Sequence, residues 1–171
     1  MAWQLGRPPR AVLAVQPCPY GFPQVILNHP LLPSAEPQGD FEPMPTIFWL
    51  TCPFLVEEIS KLESADAVKR YERMILADEK LAEAYAQAHE AYKKERLSLL
   101  LPKELELVRE KGLTSLLHTG IAGVSNPRRV KCLHAQLAHF LAGRENPVGQ
   151  RVSQELPALF CPDSRCANAL S

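Results

Sequence analysis

The alternation of apolar and polar positions changes period once along the chain. Ala11-Val12-Leu13-Ala14-Val15, Gln24-Val25-Ile26-Leu27-Asn28 and Thr46-Ile47-Phe48-Trp49-Leu50-Thr51 are short, β-branched or aromatic runs bounded by Pro and Gly, and each predicts a strand. From Pro53 onward the spacing is helical, with Leu55, Ile59 and Leu62 on one face. Further helices are predicted over Ala65–Leu76 and from Glu79 to about Leu100, the latter capped by Asp78. Leu81, Tyr85, Ala88 and Tyr92 form the inner stripe of this long helix. Pro102 opens a helix over Lys103–Lys111, ended by Gly112. Asn126 and Pro127 open the last one, and Gly143 closes it. The fold class is therefore α+β: a small, mostly antiparallel N-terminal sheet of about three strands packed by about five helices. The Pro- and Gly-bearing stretch 30–45 is expected to be a surface loop or lid.

At 171 residues and 46% hydrophobic, the chain suits a single domain over 1–171, with 151–171 as an irregular tail. Nineteen basic and nineteen acidic residues cancel, so no global field recruits nucleic acid. No apolar run approaches the ~20 residues that span a bilayer. The N-terminal residues carry no secretory signal pattern, so the expected location is the cytoplasm. In that reducing compartment the five cysteines are expected as free thiols or metal ligands.

The chemistry concentrates in Arg128-Arg129-Val130-Lys131-Cys132-Leu133-His134, read here as the first turns of the last helix. Cations at a helix N-terminus oppose its dipole, and a bound phosphate or carboxylate would reconcile them. Arg128, Arg129 and Lys131 are thus candidate ligands for a small anion. On the long helix, His89, Tyr92 and Arg96 recur at i, i+3 and i+7. Tyr92 and Arg96 are added as ligand-binding candidates, and His89 and His134 as candidate acid–base groups. The competing reading of that row is a hydrogen-bonded ladder between packed helices.

Metal binding is the second reading. On one continuous helix His134 points away from Cys132, and His139 lies roughly 10 Å along the axis from Cys132, too far to share a zinc. A zinc or iron site would then combine Cys132 with Cys18, Cys52 and one histidine, His134 being the candidate. Cys161 and Cys166 form a further pair with a loose, knuckle-like interval. The third reading is a non-catalytic interaction protein that presents the long helix and the 30–45 stretch to a partner. No nucleophile elbow, paired Cys-x-x-Cys or phosphate-binding glycine loop is present to decide whether the protein is an enzyme.

Several short motifs occur together in one order: Arg7-Pro8-Pro9-Arg10, Cys18-Pro19-Tyr20-Gly21, Pro45-Thr46-Ile47-Phe48-Trp49-Leu50-Thr51-Cys52-Pro53, Ala88-His89-Glu90-Ala91-Tyr92, Arg129–Ala135 and Asn146-Pro147-Val148-Gly149. On these motifs the chain resembles the uncharacterised bacterial domain-of-unknown-function family 501, from about residue 7 to 150. The resemblance implies a bacterial protein and no particular activity. The resemblance implies a second cysteine in many relatives where this chain has Tyr20, and its absence here argues against a metal clamp of that pair.

Overall fold

A computed structural model describes residues 1–33 and 41–168. The three predicted strands form one antiparallel sheet in the order β1 (Val12–Pro17), β2 (Pro23–Asn28), β5 (Phe48–Leu50). Ile26 faces Trp49 and Leu27 faces Phe48 across the β2–β5 pair. β2 is central and buried, whereas β1 is an exposed edge.

The expectation of a structureless 30–45 segment is corrected at its two ends. Leu31–Pro33 (β3) and Phe41–Pro43 (β4) pair antiparallel in a second, two-stranded sheet. An ion pair between Arg10 and Glu42 ties this ribbon to the chain before β1. The middle of the segment, 34–40, lies outside the described residues.

Nine α-helices occur among the described residues: α1 (Ala2–Leu5), α2 (Pro53–Ser64), α3 (Ala67–Ala77), α4 (Glu79–Ser98), α5 (Pro102–Glu110), α6 (Thr114–Leu117), α7 (Leu133–Leu141), α8 (Pro147–Glu155) and α9 (Arg165–Asn168). The Asp78 carboxylate accepts the free N–H groups of Lys80 and Leu81 at 3.0 and 3.1 Å, which starts α4 where its sequence indicates. Leu81, Tyr85, Ala88 and Tyr92 are all buried against the main core, together with Ile47, Leu55, Ile59, Leu133 and Leu137. A smaller core of Leu31, Leu100, Val108 and Leu116 supports the ribbon.

The expected last helix needs the largest correction. Asn126-Pro127 opens only a turn, in which the Asn126 side chain accepts the Arg128 N–H at 2.9 Å. Residues 129–132 belong to no helix or strand, and α7 starts at Leu133 with Cys132, in extended conformation, as its N-cap. A second helix, α8, follows Asn146-Pro147, where the Asn146 side chain caps Gly149 N–H at 2.8 Å. It takes up part of the stretch expected as a tail. α7 is buried almost all round, His139 included, because α8 covers the side that an isolated helix would leave to water.

Gly149 sets the spacing of that pair. A Cβ there would stand 2.3 Å from the Gln136 carbonyl oxygen and 2.7 Å from Phe140 Cβ. Backbone cannot swing aside as a side-chain tip can, so α8 would have to lift off α7. A Gly149→Ala variant should therefore lose about 1–3 kcal/mol of stability despite Ala's higher helix propensity. Urea unfolding of the two proteins checks this, and an unchanged or raised midpoint would refute the close-packing account.

Candidate functional site

Two acidic side chains organise the segment that carries the predicted chemistry. Glu72 on α3 accepts the Val130 N–H at 3.0 Å and pairs with the Arg129 guanidinium at 2.8 Å. Glu63, near the end of α2, accepts the Leu133 N–H at 2.6 Å. The protein's own carboxylates thus fill the positions an anion would take at the start of α7. Arg128 pairs with Glu79, and both it and Arg129 are substantially exposed. Arg129 and Lys131 border a surface depression of about 260 Å³ together with Gly123, Val124, Ser125 and Asn126. None of these basic residues lies within α7, so the conflict with a helix dipole that motivated the anion reading does not arise.

The same break in the helix brings Cys132 and His134 together. On a continuous helix, residues two apart point in different directions. Cys132 instead has extended backbone (φ −139°, ψ 116°), and an N-cap side chain folds back over the first turn, where His134 sits. Its Sγ lies 3.8 Å from His134 Nδ1. Glu63 Oε1 lies 3.3 Å from the same nitrogen. On the far side of the ring, Nε2 is 3.1 Å from the Val56 carbonyl oxygen. A carbonyl only accepts, so Nε2 carries a proton and donates it to Val56, while Nδ1 faces the Cys132 sulfur and the Glu63 carboxylate, an acceptor that pairs with the ring when Nδ1 is protonated. Burial by itself would lower the His134 pKa, but the Cys132 thiol, the Glu63 charge and the Val56 carbonyl outweigh it and leave it raised.

Among the described residues, Glu63, Cys132 and His134 are the one group of three His, Cys, Asp or Glu whose ligand atoms all lie within 4.8 Å of one another. All three are partly exposed, so the site is open to solutes. The arrangement differs from a nucleophile relay, in which thiol and carboxylate engage opposite ring nitrogens. Here both converge on Nδ1. Glu63 has no distinguishing sequence signal, because it is one of several acids on the polar face of α2.

The polar row on α4 is a set of buried struts. Tyr92 Oη accepts the Ile47 N–H at 2.7 Å. Arg96 donates to the main-chain carbonyls of Leu116, Thr119 and Pro45. His89 Nδ1 accepts the Ile121 N–H at 2.9 Å, and its ring packs edge-on against Tyr85. The structure brings neither Tyr92 nor Arg96 to Arg128, Arg129 or Lys131. A buried network beside this row has no counterpart in the sequence reading. Asn146 donates to Gln136 Oε1 at 2.9 Å, and Gln136 donates to Tyr85 Oη at 2.6 Å. Asn146 was legible as a helix cap, since Asn-Pro is the same signature that was read at Asn126.

The proposed set of Cys18, Cys52, Cys132 and a histidine does not meet at one point. Cys52 caps the N-terminus of α2, whereas Glu63 lies eleven residues on, a helical rise of roughly 16 Å. Cys132 and His134 belong to the Glu63 end. Trp49 on β5 is half-buried, its indole N–H donating to the Thr46 carbonyl at 2.8 Å and Arg7 lying over its ring. Among the described residues no helix is long and apolar enough to cross a membrane.

Comparison with curated proteins and with solved structures finds no match. The family model described as "Protein of unknown function (DUF501)" matches residues 14–154, which include Glu63, Cys132 and His134. The motif resemblance and this match agree over most of the chain, and the protein belongs to the DUF501 family.

Proposed function

We propose that this protein binds a divalent transition-metal ion, zinc before iron, through Glu63 Oε1, Cys132 Sγ and His134 Nδ1. The observation that carries the reading is the convergence of three different ligand atoms within 4.8 Å, supplied by two separate elements. Imidazole and thiolate favour zinc over the hard cations, which take all-oxygen sites. The Val56 carbonyl holds His134 in the tautomer a ligand needs, the usual role of a neighbour behind a metal-bound imidazole. Three protein ligands leave the fourth tetrahedral position to water or to a small anion, so the metal reading also supplies a place for the anionic ligand expected at this end of α7.

The test is zinc content and zinc titration of protein purified without chelator. The Cys132→Ser/His134→Ala variant should hold one zinc equivalent per chain fewer than wild type. Glu63→Gln should weaken the affinity about tenfold or more. Equal zinc content in wild type and the double variant, both folded by circular dichroism, would refute the site.

A further inference from the structure

The C-terminal end of α7, away from Cys132 and His134, borders a hollow of about 120 Å³ under the edge of the main sheet. Residues paired directly across antiparallel strands share a face, so Ala14, Leu27 and Phe48 stand in one row. Gln16 and Val25 form the next row on the same face. α7 packs against β5 at one side of the sheet, whereas β1 at the other side is exposed along most of its length. The overhang leaves a slot lined by Val25, Leu27 and Phe48, by residues 14–16 of β1 and by Ala142, the C-cap of α7.

Among the described residues Arg144 is the one charged member of this lining. Its Nε donates to Glu95 at 3.1 Å, Nη2 donates to the same carboxylate, and Nη1 donates to the Ala142 carbonyl. The guanidinium carbon lies 5.1 Å from the centre of the Phe48 ring. These contacts fix the group in place yet use three of its five N–H donors, which leaves two for a solute. Gln16, the other polar residue of the slot, has no side-chain hydrogen bond among the described residues.

We infer that this slot binds a short aliphatic carboxylate, with its chain in the apolar hollow and its head on Arg144 and Gln16. Volume sets the chain length. About 120 Å³ is the liquid volume of about four waters at ~30 Å³ each, so a chain of about four carbons fills it. Charge sets the head: a planar guanidinium matches the two oxygens of a carboxylate. Glu95 already offsets the arginine's charge in part, so a monoanion suits the site better than a dianion. Chain burial supplies most of the affinity, because an ion pair at a substantially exposed arginine is worth little by itself. Metal at Glu63 plays no part in this site.

Titration of the isotope-labelled, full-length protein with pentanoate, followed by NMR, is the test. Pentanoate should saturably shift the backbone amide signals of residues 14–16, Leu27 and Ala142, with a Kd of about 1 mM. Acetate has the head without the chain, and butanol the chain without the charge, and each should bind about tenfold more weakly or worse. Arg144→Gln should weaken pentanoate about tenfold and leave butanol unchanged. Ala14→Phe, at an exposed strand position, should fill the slot and abolish binding of both. The absence of a saturable pentanoate shift, or unchanged binding by folded Ala14→Phe, would overturn the site. Equal binding of acetate and pentanoate, or full pentanoate affinity in Arg144→Gln, would do so too, and would reduce Arg144 to a cover for Phe48. If Arg144→Gln fails to fold, the comparison of pentanoate with acetate and butanol on the wild-type protein still decides it.

Discussion

Replacing Arg96 with methionine should destabilise the protein by about 3 kcal/mol or more, a large share of the 5–15 kcal/mol that holds an ordinary domain together. The guanidinium is fully buried and has no carboxylate partner among the described residues. Its Nε and Nη2 donate to the Leu116 carbonyl at 2.9 and 2.6 Å, Nη2 also to Thr119 at 2.5 Å, and Nη1 to Pro45 at 2.9 Å. One side chain thus satisfies carbonyls from the end of α6, the loop after it and the approach to β5. Methionine fills much of the volume but leaves those acceptors unpaired, each at a cost of about 1–3 kcal/mol. Lysine should do little better, since donors on a single nitrogen cannot span three carbonyls fixed by a planar fork. Urea unfolding followed by circular dichroism measures the loss. A change below about 1 kcal/mol would mean that water or main-chain shifts satisfy the carbonyls, and that Arg96 is not a structural clamp.

Acid should unfold this protein earlier than its carboxylates alone require, because two buried histidines must remain neutral. Burial, with Lys93 adding to it, lowers the His89 pKa to about 4. Burial, with Arg144 and His89 adding to it, lowers the His139 pKa to about 3. Each ring accepts a hydrogen bond at Nδ1, from Ile121 N–H and from the Asn146 amide respectively, so each is held as the Nε2–H tautomer. Neither Nε2 has a partner among the described residues. A depressed folded pKa means that the unfolded chain binds protons first as pH falls. The stabilisation is complete above the unfolded value of about 6.5 and is lost progressively towards the folded values. By pH 4.5 each histidine should have cost about 2–3 kcal/mol, before most carboxylates titrate. Unfolding free energy measured from pH 7.5 to 4.5 should fall steeply, and His89→Gln and His139→Gln should each flatten the slope. Comparing each variant with wild type at the same pH cancels the contributions of other groups, His134 included. A wild-type stability that stays level across this window would refute the account.

The elements that emerge from the sequence unaided are those whose local signals agree with their burial. α4 carries its own cap, its helix formers and a continuous inner stripe, and it forms where those signals place it. The three strands of the main sheet are likewise bounded by Pro and Gly and pair as expected. β3 and β4 were not legible, because three-residue strands have too few positions to show a period and stabilise each other only by pairing.

For the candidate sites the residue types are in the sequence and the groupings are not. Cys132 and His134 draw attention as ligands, yet a helix drawn through both sets them apart. What joins them is the capture of Leu133 N–H by Glu63 and of Val130 N–H by Glu72, contacts 70 and 58 residues distant in the chain. The two Asn-Pro pairs make the same point. Both cap locally, at Arg128 and at Gly149, but only the second continues into a helix. After Pro147 a glycine lets α8 lie against α7. After Pro127, two arginines and β-branched Val130 disfavour a first turn, and carboxylates from α2 and α3 take the backbone donors instead. The sequence by itself determined the α+β class, the inner face of α4 and the residue types able to hold a metal, because these rest on local period and composition. Only the tertiary structure decided where α7 begins and that Glu63 joins Cys132 and His134. Each of those depends on contacts between segments far apart in the chain, which local period does not encode.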